Sequence, residues 1–555
     1  MNSNKYKDSY YELREITDLK DMVDSSARLF KDHVAYYVKE KRGGEYKPVY
    51  YPEVKADVDA LGTRLLDMGL KDEKIAVIGE NSYEWIISYW AVTNGTGVIV
   101  PLDKELPQAE IINLMNRAEI SAIIYSGKKA KLVDEAAKAV PTLKYRISFA
   151  EEEHSDDVFS WKKLKKEGAD LVEDGDRSFI DAKIDREAMC SLLFTSGTTG
   201  LAKGVMLSHK NISANTYNMS KYIKIIDDGI GLSVLPMHHT YELTCHVFTS
   251  FYQGISIAIC EGLKYIQKNM QEIHATVMLG VPLVFENMHK KIFRQADAQG
   301  NGRQFRTMLV LSKRLKLYNN QKLIKRMFRQ IHRSTGGNMQ LFIVGGAPVD
   351  PKVIEDFEAM GIPMIQGYGM TENSPIIAVN RDRCSKADAA GFVMPNTEVR
   401  ILDPDKKGVG EVICRGPSVM IGYYNDPVMT EQVLKDGWLY TGDLGYFDSE
   451  GYLHINGRKK NVIVTKNGKN IFPEEVEYYL QESPYIAEAL VHGIKDEKSG
   501  DTIVKAEIYP DYEYINETVG DMTESGWQQM FKETIDDINK LPRSEERRVG
   551  KECRS

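Results

Sequence analysis

Short apolar runs alternate with amphipathic stretches in two parts of the chain, and this alternation constrains the fold more than any other feature. The runs and the helical stretches between them lie, in chain order, at 74–79, 82–92, 95–101, 110–118 and 121–125, and again at 341–346, 349–360 and 362–368. Such alternation is typical of βαβ units, whose helices cover both faces of a parallel sheet. The sequence therefore predicts an α/β protein with doubly wound layers.

The pattern changes after residue 398. Short alternating segments separated by Gly turns predict an antiparallel, β-rich subdomain at about 399–457. A basic run follows Gly457, and after it come a helix start at Pro473, two strand patterns and a final helix. We expect a large N-terminal domain, 1–457, and a small, mobile α+β domain, 458–542.

Composition and charge exclude several classes of protein. The 555 residues are 42% hydrophobic and 27% charged, which is typical of a globular protein. The net charge of −8, without a long block of like charges, argues against a nucleic-acid partner. No apolar stretch reaches the roughly 20 residues of a membrane span. Six scattered cysteines without CxxC spacing indicate free thiols. A cytoplasmic location is expected, and a peripheral membrane contact stays open.

The stretch 191–209 carries the strongest chemical signal. An apolar strand leads into a loop rich in hydroxyl groups and glycine, and we expect a helix after the loop. Such a loop offers backbone N–H groups and a lysine charge to phosphates. The residues concerned are Thr195, Ser196, Gly197, Thr198, Thr199, Gly200 and Lys203. Their spacing is not that of a Walker A loop, so the sequence predicts a nucleotide site of another kind.

This loop resembles the signature of the adenylate-forming superfamily, which includes acyl-CoA synthetases, firefly luciferase and peptide-synthetase adenylation domains. Further motifs of that superfamily follow in order at 345–348, 367–372, 440–443, 457–460 and 473–477. The resemblance covers about residues 30 to 542. It implies an AMP-binding N-terminal domain, a swinging C-terminal domain, and the use of ATP, Mg²⁺ and coenzyme A.

The resemblance also implies roles for individual residues of the first domain. The loop and Lys203 would bind the β- and γ-phosphates of ATP, and Thr371 would hold the α-phosphate. Glu372, together with Thr195, would ligate Mg²⁺ as a hard oxygen donor. The remaining nucleotide contacts implied are Gly346, Ala347, Pro348, Gly367 and Tyr368, whose ring would flank adenine.

Three further positions are implied near the domain boundary. Asp443 lies in a Gly-flanked segment that by itself predicts a turn. By its Thr-Gly-Asp context, Asp443 would accept the ribose hydroxyls, and Arg458 would be a second ribose or phosphate contact. Lys460 would be the hinge about which the small domain rotates.

His239, Glu242 and His246 invite a metal interpretation along a possible helix. Their spacing is not HExxH, and such a group more often packs into a protein wall. By family position, His239 borders the acyl and α-phosphate sites, so we interpret it as a residue that orients the substrate.

The last 13 residues, 543–555, have no apolar periodicity, and they resemble the translation of a sequencing-library adaptor. Family members carry an essential lysine beyond the Leu-Pro that stands here at 541–542. Lys551 does not match the context of that lysine, so the role is not transferred to it. We therefore expect a truncated C-terminal domain and a chain that binds MgATP but forms adenylate poorly.

Within the superfamily, the best likeness is to long- or medium-chain fatty acid–CoA ligases. It rests on the segments 235–244, 281–292 and 458–477. Such an enzyme forms acyl-adenylate and pyrophosphate, and CoA then displaces AMP. Apolar runs at 241–251 and 276–285 are candidate walls of an acyl tunnel, although such runs more often form ordinary core. Alternatives are a fatty acyl-AMP ligase serving acyl carrier protein, an enzyme for aryl or amino acids, and a non-turnover ATP- or lipid-binding remnant.

Overall fold

The computed structural model describes most of the chain. The described residues are 10–155, 157–195, 202–225, 228–464, 470–481, 483, 485–495, 502–512, 514–515 and 524–538. The chain divides into two compact units. The first comprises Met1–Glu398 and Cys414–Leu439, and the second comprises Val399–Ile413 and Tyr440–Ser555.

The strands of both units are numbered in chain order. They are β1 Val34–Val38, β2 Lys47–Tyr50, β3 Lys74–Ile78, β4 Val98–Pro101, β5 Ala122–Tyr125, β6 Tyr145–Ser148, β7 Phe159–Ser160, β8 Met189–Thr195, β9 Lys203–Ser208, β10 Ile230–Ser233, β11 Ser256–Ile259, β12 Val277–Gly280, β13 Leu341–Val344, β14 Met364–Gly369, β15 Ile376–Val379, β16 Phe392–Val393, β17 Glu398–Leu402, β18 Gly410–Arg415, β19 Gly422–Tyr423, β20 Leu434–Lys435, β21 Trp438–Phe447, β22 Leu453–Arg458, β23 Ile463–Val464, β24 Asn470–Ile471, β25 Ile486–Lys495 and β26 Thr502–Pro510.

Helices lie between most of these strands. The α-helices are Leu19–Leu29, Tyr51–Asp67, Tyr83–Ala91, Gln108–Arg117, Ala130–Ala139, Trp161–Glu173, His209–Tyr222, Thr240–Glu242, Thr249–Gln253, Ile266–Glu272, Pro282–Ala298, Gly302–Leu315, Gln321–Met327, Arg329–Ser334, Pro351–Ala359, Pro427–Val433, Pro473–Gln481 and Glu524–Ile538. Two segments, Val92–Thr96 and Leu243–Phe248, are π-helical. In the part of the chain that the structure describes, no helix is long and apolar enough to cross a membrane.

The first unit contains two large sheets. One has nine strands in the order β16-β15-β14-β13-β12-β10-β11-β1-β2, and its six central strands are parallel. The other has eight strands in the order β19-β9-β8-β4-β3-β5-β6-β7, and β9 is antiparallel to both of its neighbours. Because chain order reverses within each sheet, loops at the carboxyl ends of neighbouring strands form the crevices in which α/β proteins bind ligands.

Apolar residues on the sheets and their helices form the core. In the nine-stranded sheet, the Phe342 ring lies between Phe285 and Phe357, with centroid distances of 4.9 and 5.4 Å. All three side chains are fully buried. The strands of both sheets are near-continuous apolar runs because helices cover both faces.

The second unit is smaller and largely antiparallel. Strands β17, β18, β21 and β22 follow one another in one sheet. The hairpin of β25 and β26 packs with the helices Pro473–Gln481 and Glu524–Ile538 around a separate apolar cluster.

The predicted fold class is confirmed, including the β-rich part and the small C-terminal domain. One local prediction is wrong. No helix follows the 195–203 loop directly, because β9 intervenes and the helix begins only at His209. Val205 and Leu207 of β9 are fully buried, and an extended strand allows both to face the core. The division at 457/458 and the adaptor origin of 543–555 stay predictions, and 539–555 lie outside the described residues.

Candidate active site

Three segments predicted to bind substrate lie at one edge of the nine-stranded sheet. His239 follows β10, residues 345–348 follow β13, and Thr371 and Glu372 follow β14. Since β10, β13 and β14 run parallel in the same sheet, their carboxyl ends meet at the same edge. The topology therefore brings together side chains that are more than 100 residues apart in sequence.

The phosphate-loop prediction is only partly described. Thr195 ends β8 and pairs across the hairpin with Lys203, which begins β9. Residues Ser196, Gly197, Thr198, Thr199 and Gly200 lie outside the described residues. The described ends show that the loop connects β8 and β9, two antiparallel neighbours in the eight-stranded sheet.

The motif 367–372 combines a strand with a tight turn. Gly367 and Tyr368 belong to β14, and a 3₁₀ turn covers Thr371–Asn373. At Gly369 a Cβ atom would lie 2.1 Å from the carbonyl oxygen of Pro375, so only glycine fits there. This close approach of the returning chain fixes where Thr371 and Glu372 leave the strand.

The buried side chain of Glu372 is held by a neighbouring tyrosine. It is 9% exposed, and its Oε1 accepts a hydrogen bond of 2.8 Å from the hydroxyl of Tyr423. The backbone carbonyl of Glu372 also accepts from the Met420 amide at 2.8 Å. A carboxylate with one oxygen occupied in this way keeps the second oxygen as an acceptor for another group.

Tyr423 links Glu372 to Lys203. The Lys203 ammonium group lies 5.2 Å from the centroid of the Tyr423 ring, within the range of a cation–π contact. Tyr423 itself is positioned by β19, which pairs with β9 and sets Tyr423 opposite Val205. The structure thus brings Lys203 and Glu372 to one aromatic ring, although 168 intervening residues separate them in sequence.

Asn215 secures the same turn from a different element. From the helix His209–Tyr222, its side-chain NH₂ donates to the carbonyls of Asn373 and Ile376 at 3.1 and 3.0 Å, and its Oδ1 accepts from the Ile376 amide. Neither Tyr423 nor Asn215 is among the residues predicted from the sequence. Only the Gly-Tyr-Tyr at 422–424 offered a signal, because an aromatic pair directly follows a glycine there.

Residues 346–348 form an exposed turn after β13. Gly346 has φ of 87°, a left-handed conformation that favours glycine. A Cβ atom at the preceding Gly345 would lie 3.0 Å from the ring of Tyr241, whose hydroxyl donates to the Ile343 carbonyl. Tyr241 therefore packs directly beneath the turn that carries Gly346, Ala347 and Pro348.

The rings of the two adjacent histidines, His238 and His239, are in contact, with centroids 4.1 Å apart and their planes tilted by 47°. Burial and the neighbouring His239 ring lower the pKa of His238 to about 4, and burial lowers the pKa of His239 as well. Both imidazoles are therefore neutral at pH 7 and act as hydrogen-bonding groups rather than as cations.

Glu242 and His246 form a separate buried pair. His246 Nδ1 lies 2.9 Å from Glu242 Oε1, and both residues are fully buried. The His246 ring packs against Gly231 of β10, where a Cβ atom would lie 2.4 Å from Nε2. Among the described residues no group of three or more His, Cys, Asp or Glu could hold a metal ion.

The candidate acyl walls are buried in the first unit. Val247, Phe248 and Phe251 belong to the core, as do Val277 and Met278 of β12. The tunnel itself stays a prediction. The five described cysteines, Cys190, Cys245, Cys260, Cys384 and Cys414, are buried and form no disulfide with one another.

The predicted ribose contacts lie in the second unit. Asp443 and Arg458 are directly opposite each other in β21 and β22, and Arg458 Nε lies 2.9 Å from Asp443 Oδ1. The turn expected from the Gly-flanked sequence is wrong for Asp443, because strand pairing extends through it while Gly442 absorbs a φ of 72°. Asp443 is 4% exposed and its amide donates to the Thr441 hydroxyl, so its carboxylate is held in a fixed position.

Lys460 lies in a short 3₁₀ turn, Lys459–Asn461, directly after β22. Its side chain is exposed, whereas the neighbouring Lys459 pairs with Glu411 at 2.7 Å. Lys459 is therefore tied to the sheet of the second unit rather than being a free solvated charge. The hinge role of Lys460 stays a prediction.

Comparison with known proteins decides the family. Residues 23–424 match the AMP-binding enzyme family. The chain belongs to this family. AMP-binding enzymes of this kind are adenylate-forming and acyl-activating, as the motifs predicted.

Similar proteins have names that concern fatty acids. The chain is 27% identical to the chloroplast long-chain-fatty-acid–[acyl-carrier-protein] ligase AEE15 of Arabidopsis thaliana, over 87% of this chain and 76% of the relative. It is also 27% identical to the long chain acyl-CoA synthetase 1 of the same plant, over 94% and 82%. A crystal structure of the anthranilate CoA ligase AuaEII in complex with anthranoyl-AMP has the same fold. Its TM-score is 0.72 at 17% identity, over 97% of this chain and 92% of that one.

Proposed function

We propose that this AMP-binding enzyme is an ATP-dependent fatty acid–CoA ligase for medium- or long-chain acids. The observation that carries the proposal is the contact of Lys203 and Glu372 with the one Tyr423 ring, in a chain whose relatives are named as fatty acid ligases. A cation and a carboxylate that both contact one tyrosine side chain suit a site for a polyphosphate and its metal ion.

The chemistry of the donor set fits Mg²⁺. Glu372 offers a hard carboxylate oxygen, and its orientation is set by the Tyr423 hydroxyl rather than left to solvent. Glu372 and Thr195 would hold the ion, which supplies positive charge that offsets the repulsion between a fatty carboxylate and a triphosphate.

The remaining roles follow from the positions of the side chains. Lys203 would neutralise the β- and γ-phosphates, and Thr371 would donate its hydroxyl to the α-phosphate. His239, neutral because burial lowers its pKa, would orient the fatty carboxylate by a hydrogen bond without adding charge. In the second unit Asp443 would accept the ribose hydroxyls, with Arg458 beside it.

The reaction then runs in two displacements. A carboxylate oxygen attacks the α-phosphorus of ATP and pyrophosphate leaves, which gives the acyl-adenylate. The thiol of CoA next attacks the acyl carbon, loses its proton and expels AMP. The nucleophile of the second step belongs to CoA, so no cysteine of the protein is required. This agrees with the burial of the described cysteines.

A second candidate is a ligase that transfers the acyl group to the thiol of acyl carrier protein. The similarity to AEE15, whose name states that acceptor, favours it specifically. Both candidates share the adenylate, and they differ only in which thiol displaces AMP.

The test offers preformed palmitoyl-adenylate with either CoA or holo-acyl carrier protein and follows the thioester by mass. Palmitoyl-CoA formed at the higher rate supports the proposal. Faster formation of palmitoyl-carrier protein favours the second candidate. Absence of both thioesters, in protein that binds MgATP, would refute both. A matched reaction with anthranoyl-adenylate tests whether the acyl group must be aliphatic.

A further inference from the structure

The helical region 282–334, here named the basic segment, has a charge opposite to that of the whole protein. It contains thirteen Lys and Arg residues and two acidic residues, a formal net charge of +11. The rest of the chain therefore carries −19. Four α-helices make up this segment, from Pro282–Ala298 to Arg329–Ser334. A concentration of like charge in one folded region marks a surface for a partner of the opposite charge.

The second helix of the basic segment, Gly302–Leu315, shows how the charge is presented. Its inner face buries Leu309 and Ser312, and the Ser312 hydroxyl donates to the Ala359 carbonyl at 2.6 Å. Its outer face is both basic and aliphatic. The outward side chains include Arg303, Val310, Leu311, Arg314 and Leu315.

The aliphatic side chains of this face are unusually exposed. Val310 is 64% exposed, Leu311 45% and Leu315 59%. The pattern continues in the next helix, Gln321–Met327, where Leu323 is 40% exposed beside Lys322 and Arg326. Single exposed leucines are common, but a group of them rimmed by charge marks an interaction surface.

Most of the charge on this face is not neutralised by the protein. The carboxylate of Asp297, one of the two acidic residues, accepts hydrogen bonds from both terminal nitrogens of Arg306 at 2.6 and 2.7 Å. Lys313 forms ion pairs with Glu355 and Asp356 of a neighbouring helix. Within the described parts of the chain, Arg303, Arg314 and Lys316 form no ion pair. Their charges are available to a partner.

We propose that the outer face of Gly302–Leu315, continued by Lys316, Lys322, Leu323 and Arg326, docks on an anionic phospholipid membrane. Aliphatic side chains flanked by Lys and Arg suit the membrane interface, where the apolar groups enter the headgroup region and the cations meet lipid phosphates. Nucleic acid would use the basic groups alone and gain nothing from Val310, Leu311 and Leu315. The proposal concerns where the protein binds, and so goes beyond the proposed function.

The test measures binding of the full chain to vesicles by co-sedimentation. Vesicles of phosphatidylcholine alone are compared with vesicles containing about 30% phosphatidylglycerol. The charge variant is Arg303→Glu with Arg314→Glu, and its matched control is Lys131→Glu with Lys183→Glu, two exposed lysines elsewhere in the first unit. The apolar variant is Leu311→Gln with Leu315→Gln. Its control is Leu263→Gln with Val428→Gln, which are 65% and 67% exposed.

We expect the unmodified chain to bind the anionic vesicles and not the neutral ones, with weaker binding as salt rises. The charge variant should bind at least about 30-fold more weakly. Each cation removed costs about 1 kcal/mol of binding free energy, and about 1.4 kcal/mol corresponds to a tenfold loss of affinity. The apolar variant should lose about 5- to 10-fold. Both controls should bind as the unmodified chain does, and unchanged circular dichroism would show that all variants fold.

Three outcomes would overturn the proposal. Equal binding to neutral vesicles would remove the role of charge. Loss of binding in the lysine control equal to that in the charge variant would show a general charge effect with no defined face. Full binding by the apolar variant would show that the exposed leucines do not enter the membrane, and would leave a purely electrostatic surface of the kind that also binds nucleic acid.

Discussion

The hydroxyl of Tyr423 can be removed with little other change, and its removal tests how Glu372 is held. Tyr423→Phe keeps the ring against which Lys203 lies at 5.2 Å, and it deletes only the donor 2.8 Å from Glu372 Oε1. The carboxylate is 9% exposed, so water replaces the lost donor poorly. A free carboxylate must then be reoriented each time that Mg²⁺ binds.

The magnitude follows from the type of hydrogen bond. A hydrogen bond to a charged group contributes about 1.5–3 kcal/mol, which corresponds to about 10- to 150-fold in an equilibrium constant. We therefore expect the Kd for ATP in the presence of Mg²⁺ to rise by at least about 10-fold. The Kd for ATP in EDTA should change less than about 2-fold, because Lys203 and the Tyr423 ring stay in place.

Isothermal titration calorimetry with and without Mg²⁺ measures both constants. The matched control is Tyr424→Phe, since Tyr424 also lies near a lysine, Lys74, and donates to a carboxylate, Glu119, at an exposed position. This variant should change neither constant by more than about 2-fold, because exposed polar pairs contribute little. An unchanged Kd for MgATP in Tyr423→Phe, or an equal loss with and without Mg²⁺, would refute the reasoning.

Three other predictions concern residues of the first unit. Lys203→Met should lower the rate of palmitate-dependent pyrophosphate release by about 10²- to 10³-fold, as expected for loss of one positioned charge, and a rate within about 3-fold of the unmodified chain would exclude its role. Gly369→Ala places a Cβ atom 2.1 Å from the Pro375 carbonyl, so it should destabilise the first unit by about 1–3 kcal/mol or more, seen as a lower thermal unfolding temperature. Because the folded-state pKa of His238 is lowered to about 4, the unfolded chain binds the proton first, and stability should fall as the pH drops from 6.5 toward 4. His238→Gln should flatten that part of the pH dependence, and an unchanged slope would show that another group is responsible.

Much of the fold could be predicted because its signals are local. The runs at 74–79 and 121–125 each contain consecutive apolar residues after a polar first residue, and they form β3 and β5 as expected. The strand β9 was missed because its Lys203-Gly204 start resembles a loop, and only pairing with β8 and β19 makes it extended. A very short strand shows no alternating pattern in the sequence, so its pairing with a distant segment cannot be recognised there. Strand β19 is such a case, because it has only two residues.

The site could be predicted as a set of motifs but not as an arrangement. Lys203, Thr371 and Glu372 are recognisable by resemblance, whereas Tyr423 acts through contacts that depend on the three-dimensional path of β19. The positive charge of the basic segment is not evident from the sequence pattern for a different reason. Its lysines and arginines are dispersed among apolar and amide residues, so no long run of like charge is present, and the net charge of −8 averages the segment with an acidic remainder.

The uneven charge of the chain has a kinetic consequence. With +11 on one helical region and −19 on the rest of the chain, an external electric field acts on that region and on the remainder in opposite directions. Within about one Debye length of a negatively charged surface, roughly 8 Å at physiological salt, the helices of 282–334 are attracted while the remainder is repelled. These opposed forces favour approach with the basic segment foremost, before any atom touches the surface. The preference for that orientation should be stronger at low ionic strength, where the charges are screened less.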